Sequence, residues 1–454
     1  MPSGQAPDDS ELLGSHWLGV DDTQTEGAGG ARVDGERVQP LDPLGLALDE
    51  LGLVCGPPEH AQAWAVRLTA SGRAYARIWL VNLLAVVLTA GLALPWARAR
   101  SLRYFHAHTL VAGHPLGFHG EPGAMLGGGL LAAALLGCGA AALIWGPTGW
   151  AGVAAASFAF ALLACTVPAL VQAALQGRLA RTSWRDMPLR FAGTPAGAAR
   201  VLAAPLFGAW ACATVALALP VAEAQDPQAV RGLWMGLGAL LLTGALGAPA
   251  MAWQFLRWRQ THLAIGPLQA QWKATLRMAY GLALRALLAL APAALLAGAA
   301  SALALVATGW MEPPGGLAGR LPGVMGHLLQ HPPAALAAAA VLAAAAWLAG
   351  VGLALPWAQA ALQNLVWGKT GNRYVRIRSR LSATGYVALR LRHGLLLLAT
   401  LGLYAPWAAV AARRRRLQAL TIVSRVVPDD LAATVRQAGD TRPGGELFGL
   451  DLGW

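Results

Sequence analysis

The chain has 454 residues, 56% of them hydrophobic and only 12% charged, with a mean hydropathy of +0.49. A soluble domain carries about 25% charged residues, so this balance excludes a single soluble globular enzyme, and the apolar richness excludes disorder over most of the length. The net charge of +12 is unevenly placed: residues 1–66 hold 12 Asp and Glu against Arg32 and Arg37, which leaves 32 bases and 10 acids for the remainder.

Gly, Asp, Glu and Pro dominate residues 1–60, so 1–66 reads as an acidic, mostly flexible cytosolic leader. No basic segment followed by an apolar one opens the chain, so the first hydrophobic run is expected to act as the membrane signal. Apolar runs follow at 78–94, 124–145, 150–175, 201–221, 232–256, 281–308, 334–356 and 394–411. A membrane span needs about 20 apolar residues. The six middle runs reach that length and the first and last fall short of it. The fold class expected is therefore an all-α polytopic membrane protein of six to eight hydrophobic helices, with short β or turn elements in the cytosolic loops.

The segments near 146–149, 222–231 and 309–333 are almost free of Arg and Lys, whereas 176–200, 257–285 and 367–392 are rich in them. Basic loops stay in the cytoplasm, which sets the three weakly charged loops outside. The two short runs conflict with this rule. Arg77 precedes the first run and Arg98, Arg100 and Arg103 follow it; Arg390 and Arg392 precede the last, and Arg413, Arg414, Arg415 and Arg416 follow it. Either these runs re-enter or lie in the interface, which leaves both termini in the cytoplasm, or they span and the rule fails twice. Cytoplasmic termini are the preferred expectation.

Gly-Leu-Ala-Leu-Pro-Trp-Ala occurs at 91–97 and, unchanged, at 352–358, with a third copy, Gly-Leu-Tyr-Ala-Pro-Trp-Ala, at 402–408. Arg67-Leu-Thr-Ala-Ser-Gly and Arg380-Leu-Ser-Ala-Thr-Gly precede two of these copies in register, and Arg190-Phe-Ala-Gly-Thr is a looser relative. The expected organisation is thus a leader at 1–66, membrane repeats at 67–176, 177–333 (degenerate) and 334–412, and a basic then mixed-charge cytosolic tail at 413–454. The apolar run in each of these three copies is expected to end at Pro-Trp, because proline interrupts a helix and tryptophan favours the headgroup boundary. Pro95, Trp96, Pro356, Trp357, Pro406 and Trp407 are accordingly read as interfacial anchors. Arg98, Arg100, Arg103 and Arg413 to Arg416 beside them are read as contacts for anionic headgroups.

At these residues the sequence resembles the YjgN family of bacterial inner-membrane proteins, a domain family of unknown function. The resemblance is carried by Arg77-Ile-Trp-Leu-Val-Asn82, Pro95-Trp-Ala97 with Arg103-Tyr-Phe105, Gly117-Phe-His-Gly120, Thr400-Leu-Gly-Leu-Tyr-Ala-Pro-Trp407 and the terminal Glu446-Leu-Phe-Gly-Leu-Asp-Leu-Gly453. It runs from about Arg67 to the last residue. It implies a multi-pass location in the bacterial inner membrane and an internal duplication, but no substrate.

Candidate chemistry is sparse. No Asp or Glu lies in any apolar run, which speaks against a proton-coupled pump. Asn82, Gln172, Gln254 and Asn364 are the neutral polar residues inside or at the edges of the runs; they serve either helix-to-helix hydrogen bonding or a solute path. His106, His108, His114 and His119 crowd together with only Glu121 beside them, too few ligands for a metal site. Gly368-Lys-Thr370 lacks the earlier glycine of a phosphate-binding loop, position 363 being Gln. The four cysteines show no metal or disulfide spacing. No enzyme motif, cofactor or metal is therefore expected. The expected partners are the bilayer and the anionic headgroups of its cytoplasmic face, with self-association left open and nucleic acid excluded by the placing of the Arg clusters between apolar runs. The leading functional expectation is a transporter or channel for a small solute; the alternative is a lipid-binding or envelope-organising protein without transport.

Overall fold

A computed structural model describes residues 61–425, apart from most of 124–146, all of 308–331, and short breaks at 186, 226, 266–267 and 373–374. The leader, the apolar run at 124–145, the loop at 309–333 and the tail beyond 425 lie largely or wholly outside the described residues.

Two compact units divide the chain: one takes in the residues up to Ala274, Val366–Ser379 and those from Leu417 onward, the other Thr275–Leu365 and Arg380–Arg416. The first unit holds all the strands: β1 (Gln62–Ala65), β2 (Arg67–Leu68), β3 (Thr109–Val111), β4 (His114–Phe118), β5 (Thr182–Trp184), β6 (Met187–Phe191), β7 (Leu263–Ile265), β8 (Leu268–Gln269), β9 (Gln271–Trp272), β10 (Thr370–Gly371), β11 (Val375–Ser379) and β12 (Leu420–Ser424). They form a seven-stranded sheet, β2-β3-β4-β5-β6-β7-β8, and a five-stranded sheet, β1-β12-β11-β10-β9, antiparallel throughout. Only Val66 separates β1 from β2 and only Ala270 separates β8 from β9, so each sheet passes into the other at both edges and the strand order is cyclic. Edge strands invite pairing with foreign chains; here each edge continues into the neighbouring sheet.

The helices are inserted between strands. The first unit contains α1 (Gly72–Leu88), α2 (Leu94–Ala107), α3 (Gly149–Ala180), α4 (Pro195–Gln225) and α5 (Pro227–Thr261). The second is built on α6 (Leu276–Ala307), α7 (Pro332–Gly368), α8 (Ala383–Ala399) and α9 (Ala405–Gln418), the last residues of α7 and α9 belonging to the first unit. Along the chain, α1 and α2 lead from β2 to β3, α3 ends at β5, α4 and α5 join β6 to β7, α6 and α7 lie between β9 and β10, and α8 and α9 between β11 and β12. Since β1 pairs with β12 in the register Gln62↔Ser424, the two ends of the described chain lie side by side.

Among the described residues five helices, α3 to α7, are long and apolar enough to cross a bilayer. Large apolar side chains such as Phe158, Phe207, Leu242, Leu295 and Leu348 face outward from them. In water this surface would be costly, at about 25 cal/mol per Å2; in lipid it is the expected exterior. These helices coincide with five of the expected middle runs, and the sixth, 124–145, falls outside the described residues.

The two short runs have a different structure from any single segment. The run at 78–94 takes in the outer part of α1 and a tight turn, and the run at 394–411 takes in the end of α8, a turn and the start of α9. Each is the bend of a helical hairpin. Pro95 and Pro406 accordingly open the second helix of each hairpin, near positions whose N–H groups have no intrahelical partner. Pro356-Trp357 differs: it lies inside α7, which continues unbroken to Gly368.

Candidate functional site

The two hairpins share their caps and tip turns at a spacing of 311 residues. Ser71 caps α1 through Ala74 N at 3.2 Å, and Ser382 caps α8 through Gly385 N at 3.2 Å. Tyr75 and Tyr386 occupy the same buried place one turn later. At the tips, Thr89 and Thr400 end the first helices, Ala90 and Leu401 follow at φ 50° and 48°, and Gly91 and Gly402 at 94° and 90°. Glycine enters this left-handed region without the steric cost a Cβ brings.

Every turn of the tip is closed from within. Gly91 N donates to Val86 O and Gly402 N to Leu397 O, both at 2.8 Å. Thr89 Oγ1 donates to Ala85 O and accepts from Ala93 N; Thr400 Oγ1 donates to Leu396 O and accepts from Tyr404 N. Backbone polar groups in hydrocarbon must be satisfied internally, and these are. The side chains around the tips are apolar and bare: Leu88 is 83% exposed and Leu401 95%. From Arg77 to Leu88 the helix rises about 16 Å at 1.5 Å per residue, close to one leaflet of a hydrocarbon core about 30 Å thick.

The interiors of the hairpins differ most plainly at Asn82 and its counterpart His393. In the first, Asn82, 7% exposed, donates to Ala97 O (3.0 Å) and Ser101 Oγ (3.1 Å) and accepts from Arg100 Nη1 (2.8 Å). Its three bonds clamp α1 to α2. In the second, the same place holds His393, 8% exposed, whose Nδ1 has no partner and whose ring stacks on Tyr404 at 5.5 Å, Tyr404 in turn stacking on Trp407 at 5.7 Å.

The bases of the hairpins are polar. The Tyr104 hydroxyl accepts from Ser71 N at 3.0 Å and donates to Ser71 O at 3.1 Å, and Arg103 donates to Gly120 O at 2.9 Å. At the other base, Arg416 Nε donates to Gln363 Oε1 (2.7 Å) while Gln363 Nε2 donates to Arg416 O (2.8 Å). Asn364 accepts from Leu381 N and donates to Leu381 O. A guanidinium has five donors, so Arg100, Arg103 and Arg416 each keep several beyond these contacts. Arg413 to Arg416 are all exposed, as are Trp96 and Trp407 in part, whereas Pro356 and Pro406 are buried.

The four polar residues singled out in sequence therefore do not form one group. Asn82 is committed to its clamp and Asn364 to Leu381. Gln172 donates to Gln176 Oε1 (2.9 Å) and Gly193 O (3.1 Å), and Gln254 is exposed. The histidines are dispersed as well: His106 donates to Leu102 O and His108 to Tyr104 O, each from Nδ1 at 2.8 Å, while His119 pairs with Ser183 Oγ at 2.9 Å. Among the described residues 28 Arg and Lys face only two acids, Glu121 and Glu223. Sequence reasoning passed over His393 and Gln363; the register of 311 residues between Tyr75-Asn82 and Tyr386-His393 was the signal that could have found the first.

Long apolar helices with bare exteriors, joined through short antiparallel strands, define an integral, polytopic membrane protein. The family model described as "Bacterial protein of unknown function (DUF898)" matches residues 64–449, and the chain belongs to that family, the domain of the YjgN proteins. No curated protein and no solved structure matches it.

Proposed function

We propose that this protein is a lipid-organising component of the bacterial inner membrane, with its sheets and both termini on the cytoplasmic side and its two hairpins wedged into the cytoplasmic leaflet. The observation that carries this reading is the self-capped, apolar hairpin tip on a basic base: it solves the conflict of a short greasy run with arginines on both flanks, since a re-entrant hairpin puts both flanks on one side. Among the described residues, 28 bases against two acids match a surface of anionic headgroups, each nearby Arg contributing about 1 kcal/mol. The shared design of the hairpins also supports an internal duplication. Vesicles containing phosphatidylglycerol should bind the nanodisc-held protein in a salt-sensitive manner, and neutralising Arg413 to Arg416 should weaken that binding. A reporter fused after Trp454 that is active only outside the cytoplasm would sink the orientation.

Transport of a small solute is a second reading. It draws support from the prolines inside all five long apolar helices: Pro168, Pro205 and Pro220, Pro249, Pro292 and Pro356. Each removes a ladder hydrogen bond, and such breaks at membrane depth can build solute sites. Solute flux in proteoliposomes that falls when Pro249 or Pro292 is replaced by Ala would favour it over lipid organisation.

A further inference from the structure

Lys273 and Lys369 are the only lysines of the chain, and the fold sets them opposite one another. Lys273 N donates to Lys369 O at 3.0 Å, which extends by one pair the register in which Trp272 faces Thr370 and Gln271 faces Gly371. Directly opposed residues of an antiparallel pair point to the same face, and so do residues two apart along a strand. The face that carries both lysines therefore carries Gln271 and Gly371, then Arg376 opposite Gly371, and Arg378 two residues further on. Across the next strands it holds Val423 and Thr421, with Ala63 and Ala65 beyond them.

Four cations thus share one face of the five-stranded sheet, all within the first unit. Lys273, Lys369, Gln271, Ala63 and Ala65 are exposed, and Arg376 and Arg378 are half-buried. Like charges directly opposed across strands destabilise a sheet. Among the described residues no acid belongs to this sheet: Glu121 follows β4 of the other sheet, and Glu223 lies near the end of α4. An acidic partner laid on the face would relieve the repulsion.

The chain itself carries such a partner. Residues 1–60 hold 12 Asp and Glu against Arg32 and Arg37. They lead directly into β1, at one end of this same sheet, so they lie on its side of the membrane whatever the orientation. From β1 to β9 there are four interstrand steps, roughly 19 Å, which about six extended residues cover. Eleven residues separate Glu50 from Gln62, so Glu50 and every acid before it can reach both lysines. Attachment makes the encounter intramolecular and raises its effective concentration. We propose that the acidic leader, residues 1–60, docks on the Lys273, Lys369, Arg376 and Arg378 face of the five-stranded sheet as a built-in counter-charge. This goes beyond the lipid-organising reading and does not depend on it, since no hairpin residue takes part.

The test uses the full chain in phosphatidylcholine nanodiscs holding one copy each. A zero-length carbodiimide condenses a carboxyl group with an amine, and Lys273 and Lys369 supply the only side-chain amines. Each link found by mass spectrometry therefore reports a carboxylate resting at one of the two lysines. Links from acids between Asp8 and Glu50 are expected at about 50 mM salt, falling about fivefold or more at about 500 mM as exposed charges are screened. Arg376→Gln with Arg378→Gln keeps both amines and should lower the same links about fivefold. As a second measurement, acetylation of the two lysines should run about threefold faster or more when every acid from Asp8 to Glu50 is replaced by its amide, a change that leaves residues 61–425 untouched. Links confined to Glu121 or to acids after residue 425, yields indifferent to salt or to the arginine pair, or equal acetylation rates in parent and amide variant overturn the proposal. So do leader links that vanish when the discs are doped with phosphatidylglycerol, since headgroups then hold the face. Vesicle binding that still depends on Arg413 to Arg416 in any of these cases leaves the lipid-organising reading intact, so the two can fail separately.

Discussion

Removing the Asn82 side chain tests whether the first hairpin is held by its clamp. Asn82→Ala deletes two neutral hydrogen bonds and one from a guanidinium. Neutral bonds contribute about 1 kcal/mol net and those to charged groups about 1.5–3 kcal/mol. The full sum overstates the loss, because Arg100 is exposed and can turn to water, and Ser101 can rebond to its own helix. A loosening of about 2–3 kcal/mol is the reasonable expectation. Local opening of that size lowers amide protection by roughly 30- to 140-fold, read by hydrogen–deuterium exchange of peptides covering the end of α1, the turn and the start of α2 in nanodiscs. Peptides from α3 and α4 should be unchanged. If exchange in the hairpin stays within threefold of the parent while the protein remains folded, the clamp is not what joins the two helices, and their packing with the tip hydrogen bonds must suffice.

Gly402→Ala forces a side chain into φ 90° and should cost the second hairpin about 1–2 kcal/mol, whereas Gly394→Ala, in open space within α8, should gain about 0.5–1 kcal/mol; thermal unfolding in detergent separates them, and equal midpoints would contradict the turn geometry. Gly350→Val should disrupt packing of α7 on α6, because even a methyl there would collide with Ala293, at a cost of about 1–3 kcal/mol; a cysteine cross-link across that contact that forms equally fast in the variant would count against it.

The long helices were legible because length and hydrophobicity alone decide them: α3 to α7 need little beyond an apolar run. The hairpins were half legible. Arginines on both flanks of each short run pointed away from a simple span, and Pro-Trp-Ala marked a helix boundary, but the tight turn after Thr89 and Thr400, with its left-handed glycines, is visible only in the folded chain. Pro356-Trp357 misled, since an identical heptapeptide lies inside a helix when no turn precedes it. The strands were scarcely legible. They have two to five residues, too few for a period-two pattern, and pairs such as Trp272 with Thr370 join segments that share no local signal. Asn82 attracted notice by its polarity, yet its partners became visible only once α2 folded back.

Pairing Gln62 with Ser424 has a consequence for biosynthesis. At about 5–20 residues per second, the first strand waits roughly 20 to 70 s for its mate to leave the ribosome. Through that interval a bare β-edge sits beside the membrane among nascent helices, open to mispairing with β11 or with another copy. The seam closes last, so chains that terminate before Leu420 should emerge as assembly-defective substrates for membrane proteases, however well their earlier segments have inserted.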